Sequence, residues 1–79
     1  MKNKNNSELS KKISLKIMLE RQKRKLSQEE LAELANLSRN TVGKLERGES
    51  SPSIDTIERV ANAFNMTFQE LTDVTKIDL

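Results

Sequence analysis

The chain contains no cysteine and no histidine. Disulfides, a thiol nucleophile, a Cys/His zinc site and imidazole acid–base chemistry are therefore excluded from the start. Glycine occurs twice and proline once, and neither glycine belongs to a glycine-rich phosphate loop. Acids such as Glu29, Glu30 and Glu33 have no nucleophile with an adjacent base beside them, so an enzyme is the poorest class of function and no cofactor or metal is expected. No apolar run approaches the ~18 residues of a membrane span. The Met-Lys-Asn-Lys start has no apolar segment after it, which leaves no signal for export. The expectation is a soluble protein of the reducing cytoplasm, with no membrane partner.

Seventy-nine residues suffice for one domain, and a chain this short buries only about 60% of its extended surface, so its core is small. No separate effector domain is expected within these residues. The net charge is only +2, but its layout is uneven. Residues 1–25 carry nine Lys or Arg against two acids, whereas residues 26–79 carry five against ten. A basic front end is the footprint of phosphate contact, although for residues 1–6 a disordered charged tail explains it equally well. The expected organisation is a basic, flexible tail over 1–7, one domain over 8–73 and a C-terminal tail over 74–79.

The most informative stretch runs from Ser27 to Gly48, SQEELAELANLSRNTVGKLERG. Ser27 and Glu30 stand at the spacing of a capping box, in which a hydroxyl and a carboxylate each satisfy an orphan backbone N–H. Leu26 and Leu31 flank the cap as a hydrophobic staple. Leu31, Leu34 and Ala35 then come at helical spacing as one apolar stripe. Asn36 tolerates the left-handed conformation that ends helices, and Ser38 is already placed to cap the next one. The second helix is expected over Arg39 to Arg47, stapled by Leu37 and Val42, with Gly48 as its exit. At about 100° per residue Val42 and Leu45 share an inward side, which puts Arg39, Asn40, Gly43, Lys44 and Arg47 outward. An Arg can fork onto guanine and an Asn can pair with the edge of adenine, and the major groove is wide enough for the helix that carries them. The plain alternative is an ordinary solvated helix face.

Ahead of this stretch a first helix begins between Asn6 and Ser10 and lasts to about Arg24, with Leu9, Ile13 and Ile17 recurring every four residues and Met18 widening the stripe. Arg21 continues the Ile13 and Ile17 side, so its guanidinium points inward and needs a partner. Glu46, one turn beyond Val42, is the natural candidate, because an unpaired buried charge is very costly; two unrelated surface charges are the alternative. Leu15 and Leu19 lie off the stripe, either as a small contact surface or as ordinary exposed leucines. Past Gly48, Pro52 blocks helix continuation and Ser53 caps a fourth helix with Ile54, Ile57, Val60, Ala61 and Phe64 on its apolar side. Asn65 ends it. Thr67 and Glu70 form a second capping box, stapled by Met66 and Leu71, for a short fifth helix to about Asp73. The tail, with Val74, Ile77 and Leu79 as its apolar residues, has three open fates: folding back, fraying, or pairing with a second copy. No segment signals a strand, so the chain reads as all-α.

The segment LSQEELAELANLSRNTVGKLERGESSPS resembles the Cro/C1-type (XRE-like) helix-turn-helix family of DNA-binding proteins, and the likeness extends over roughly Ile13 to Thr72. It implies an all-α, compact five-helix, lambda-repressor-like domain. By this resemblance Arg39, Asn40 and Lys44 occupy base-reading positions, with Gln28, Ser38, Thr41, Gly43 and Arg47 as phosphate or edge contacts. Gln28 is expected to bind phosphate and to brace the first residue of the reading helix, and Gly43 matches a position that is usually small. Arg21 and Glu46 match the family's ion pair. In the family the fifth helix and the residues after it commonly form a two-fold contact, which assigns Phe68, Leu71, Val74 and Ile77 to a homodimer. Lys25 departs from the pattern, because the family often has glycine there. The implied function is a sequence-specific double-stranded DNA-binding transcriptional regulator, a repressor on a palindromic operator. The alternative is a protein-interaction module, such as an antitoxin subunit with a toxin as its partner protein; RNA polymerase is the partner protein if the DNA-bound dimer activates by touching it instead of repressing.

Overall fold

A hydroxyl side chain opens every helix among the described residues. In the computed structural model, which describes residues 7–79, Ser7, Ser27, Ser38, Ser53 and Thr67 have extended backbone, and each accepts a hydrogen bond from the backbone N–H three residues on. They precede α1 (Glu8–Lys23), α2 (Gln28–Ala35), α3 (Arg39–Glu46), α4 (Ile54–Ala63) and α5 (Phe68–Thr72). Capping removes one of the orphan N–H groups that every helix start leaves unpaired. At α2 and α5 the return bond is also present, from the backbone N–H of Ser27 to Glu30 and from that of Thr67 to Glu70. The expected basic tail falls on residues 1–6, outside the described residues, except that Ser7 belongs to the α1 cap.

The helix ends are equally systematic. Lys25, Asn36 and Asn65 hold φ of 58°, 58° and 59°, and Gly48 holds 72°. The residue after each donates its N–H to the carbonyl five positions back: Leu26 to Arg21, Leu37 to Ala32, Glu49 to Lys44 and Met66 to Ala61. This is the left-handed termination that satisfies otherwise orphan carbonyls. Three of these linkers share one local sequence, a left-handed residue, then an apolar residue, then a hydroxyl: Lys25-Leu26-Ser27, Asn36-Leu37-Ser38 and Asn65-Met66-Thr67. The middle residue packs against the core in all three. Each linker therefore ends one helix, anchors the chain and starts the next within three residues. The α3–α4 connection differs, because polar Glu49 comes after Gly48 and an exposed loop intervenes.

The core comprises Ile13, Ile17, Leu31, Ala32, Ala35, Val42, Leu45, Ile57, Val60, Ala61, Phe64 and Leu71. α2 lies between α3 and α4, while α1 packs on α3 and α5. Three expected core residues are instead exposed: Leu9 at 57%, Leu34 at 58% and Ile54 at 71%. Leu9 and Ile54 stand in the first turns of α1 and α4, past the reach of the neighbouring helices. Leu34 is exposed because α2 buries the arc of Leu31, Ala35 and Ala32; the small Ala32 faces a neighbour where Leu34 was expected to do so.

Basic side chains from neighbouring elements close several helix ends. The Lys16 ammonium donates to the carbonyls of Glu70 and Asp73 at 3.0 and 2.7 Å. Arg24 donates to the Phe64 carbonyl at 3.1 Å, with its guanidinium 4.6 Å from the centre of the Phe64 ring. Arg59 donates to the Asn36 carbonyl at 3.2 Å. Each cation meets the negative end of a helix, where it is favoured by a few tenths to about 1 kcal/mol.

Candidate nucleic-acid interface

α3 is short, and an eight-residue helix is not stable by itself in water; its position has to be imposed by packing. Val42 and Leu45 are 0% and 2% exposed and fix its inner side. Glu46 fixes its end. The Arg21 guanidinium approaches the Glu46 carboxylate with Nε on Oε2 at 2.6 Å and Nη2 on Oε1 at 3.0 Å. Arg21 Nη1 meanwhile donates to the Leu26 carbonyl at 2.7 Å, so one side chain ties α1 to both the α1–α2 linker and α3. The side chains are only 13% and 3% exposed. The hydrogen bond to Glu46 raises the Arg21 pKa above its ordinary value, outweighing burial.

Gln28 completes this cluster by donating from Nε2 to Glu46 Oε1 at 3.0 Å. The carboxylate can only accept, so it fixes which way the amide points. Gln28 therefore braces the last residue of α3, whereas the sequence pattern suggested the first.

On the opposite side of α3, Arg39, Asn40, Thr41 and Lys44 are exposed. Among the described residues Arg39, Asn40 and Lys44 make no hydrogen bond or ion pair, so three side chains with base-matching donors stand uncommitted on one rigid rod. Ser38 caps α3 with Oγ accepting from the Thr41 N–H at 3.0 Å, and the two hydroxyls lie 2.8 Å apart. The unpaired N–H groups of this helix start, together with those hydroxyls, suit an anion.

Gly43 is not on this outer face. It is buried, and a Cβ there would lie 3.0 Å from Arg47 Nη1 and 3.8 Å from Gln28 Oε1. Its azimuth falls between inward Glu46 and outward Asn40, and without a side chain of its own it is covered by Arg47 and Gln28. Gly43 thus makes room for Arg47, and in this arrangement its own surface is covered rather than outward. Arg47 is exposed, and its guanidinium is engaged by Glu49, Nε to Oε2 at 2.7 Å and Nη2 to Oε1 at 3.3 Å. Glu49 was hidden in the sequence by its place in a polar loop. Its only signal was a carboxylate two residues beyond an arginine.

The expected dimer contact loses one of its members. Leu71 is fully enclosed in the core at 0% exposure and has no surface to offer a second copy. Phe68 and Val74 are half-buried against the core. The tail turns back on its own chain, with the Ile77 N–H on the Val74 carbonyl at 3.0 Å. Ile77 lines a groove with Lys16, Leu19 and Glu20 of α1. Leu15 is half-buried and Leu19 is 42% exposed.

No group of acids able to hold a metal ion occurs among the described residues, and none of their helices is long and apolar enough to cross a membrane.

A helix-turn-helix family model matches residues 17–71. Over 54 residues, 68% of its length, the chain is 43% identical to an immunity repressor protein of Bacillus phage phi105, and it covers 38% of that repressor. The restriction-modification controller protein C.AhdI from Aeromonas hydrophila superposes with a TM-score of 0.73 at 36% identity, over 80% of this chain and 94% of that one. SinR, a master regulator for biofilm formation solved in complex with DNA, superposes with a TM-score of 0.71 at 29% identity, over 77% of this chain and 98% of SinR. With α2 and α3 as the helix pair and α3 presenting its polar face outward, the chain belongs to the Cro/C1-type helix-turn-helix family of DNA-binding transcription regulators.

Proposed function

We propose that this chain is a sequence-specific repressor that binds a palindromic DNA operator as a homodimer. The observation that carries the reading is the outer face of α3, where Arg39, Asn40 and Lys44 are exposed and make no hydrogen bond or ion pair among the described residues, Lys44 having only the nearby charge of Glu49. Inserted in a major groove, Arg39 forks onto guanine, Asn40 pairs with an adenine edge and Lys44 donates to a base acceptor. Ser38 and Thr41 meet the flanking phosphates, helped by the free N–H groups at the start of α3, and Arg47 reaches a phosphate only where it exchanges its Glu49 partner for one. Gln28 supports the rod from behind through Glu46. Two copies related by a two-fold axis place their α3 helices about 34 Å apart, one turn of DNA, so that symmetry in the protein is matched by symmetry in the site. The half-exposed Phe68, Val74 and Ile77 form the contact between copies, without Leu71. Repression results from occupancy alone, since a dimer seated on a promoter obstructs polymerase.

Selection of bound sequences from a random duplex library tests this directly. The expected result is an inverted repeat whose half-sites lie one helical turn apart. Recovery of no motif, combined with DNA affinity insensitive to salt, would instead favour a protein partner as the main target.

A further inference from the structure

Arg47 and Glu49 stand at the edge of the candidate interface, and their pairing has no structural task that is visible elsewhere in the fold. Both side chains are about half exposed, at 55% and 51%. Neither contributes to the core, and the α3 end is already satisfied by Gly48 and by the Glu49 N–H on the Lys44 carbonyl. The arginine is nonetheless held in one place. Its guanidinium rests over Gly43, with Nη1 3.0 Å from the position a Cβ would take, and both oxygens of Glu49 engage it. Two of the arginine nitrogens that could fork onto a phosphate are thereby occupied by a competing anion of the same geometry, since carboxylate and phosphate both accept paired N–H donors.

We propose that Glu49 is an intramolecular competitor for phosphate, which withholds Arg47 from the DNA backbone and so lowers affinity for all sequences while leaving base reading intact. The proposal rests on the reading of α3 as a DNA-contacting helix. The physical effect is exchange: a phosphate that takes Arg47 must displace Glu49, and the released carboxylate stays close by. An exposed ion pair is weak, so the competition is a modest brake and not a lock. Its value to a regulator is a larger ratio of specific to non-specific binding, because the withheld contact carries no sequence information. The Glu49 carboxyl is itself kept below the ordinary carboxylate range by the Arg47 hydrogen bond, so the competitor remains charged at neutral pH.

The test is a double-mutant cycle of wild type, Glu49→Gln, Arg47→Ala and the double variant, titrated against selected operator and random duplex over a salt series. Circular dichroism confirms folding, and both sites are exposed. Glu49→Gln is expected to tighten binding about two- to fivefold on both duplexes and to steepen the slope of log affinity against log salt by up to about 0.9 per subunit. In the Arg47→Ala background the gain should be clearly smaller, limited to what the nearby Lys44 charge contributes. An equal gain in both backgrounds would overturn the proposal in favour of plain repulsion between Glu49 and DNA. Loss of affinity on Glu49→Gln would overturn it in favour of a carboxylate that positions Arg47. Absence of DNA binding by the wild type would count against the DNA reading itself and is seen before any variant is made.

Discussion

At the scale of single residues, the molecule depends on charges that are held rather than scattered. Glu46 receives Arg21 twice and Gln28 once, and it is nearly inaccessible. Removing it leaves the Arg21 guanidinium partly buried with only the Leu26 carbonyl, the situation in which loss of one partner costs about 3–5 kcal/mol. Glu46→Ala is expected to fall in that range by urea unfolding. Glu20 offers a pH-dependent counterpart. Burial would raise its pKa, but hydrogen bonds and charge from Arg24 and Lys23 outweigh this and hold it below the ordinary glutamate value. The folded state thus prefers the ionised form. Its stabilisation is fully present above the unfolded-state pKa near about 4.3 and is lost as pH falls through the lower folded value. The stability difference between wild type and Glu20→Gln should therefore be constant from pH 8 to pH 6 and shrink as the pH drops below 4. A difference that grew on acidification would refute this assignment. Helical phase placed Arg21 on the Ile13 and Ile17 side and made Glu46 a candidate partner, and the family resemblance pointed to the same pair. The Arg24–Glu20–Phe64 cluster was not legible, because it needs α1 and α4 to meet at their ends, which no periodicity encodes.

At the scale of elements, the linkers carry much of the specification of the fold. The starts of α2 and α5 were readable because Ser or Thr with Glu three residues on has one local meaning, and those of α3 and α4 because a serine cap precedes the first helical residue. The ends at Asn36, Gly48 and Asn65 were equally readable. The rotation of each helix was less so. α2 has leucines at 31 and 34, and only its position between two neighbours decides that Ala32 is buried and Leu34 is not. The same limit misplaced Gly43, whose burial comes from the side chains that cover it. Lys25 is the one linker position where a bulky side chain occupies left-handed backbone, at φ 58°. Lys25→Gly relieves a cost of roughly 1–2 kcal/mol for that conformation, less the greater chain entropy that glycine loses on folding. A net gain of about 0.5–1 kcal/mol is expected in urea melts. By contrast, Ser38→Ala removes the α3 cap and should cost about 1 kcal/mol, with a parallel loss of DNA affinity for every sequence.

At the scale of the whole molecule, electrostatics are local. Residues 26–79 hold five basic against ten acidic residues, yet this part includes α3, so attraction to DNA comes from where the cations stand and not from net charge. Arg39, Lys44 and Arg47 lie on or beside the reading face, while the exposed acids Glu29, Glu30 and Glu33 sit on α2. A dimer making some six to ten phosphate contacts should lose roughly 10³–10⁵ in affinity between 50 and 200 mM salt, and a flat response would contradict phosphate contact. The central claim, that α3 reads bases, is tested most directly by comparing how Arg39→Ala and Asn40→Ala bind selected operator and random duplex at one salt concentration. Each substitution should cost ~1–3 kcal/mol on the operator alone, collapsing the ratio of specific to non-specific affinity. An equal loss on both duplexes would show that these side chains meet only the backbone.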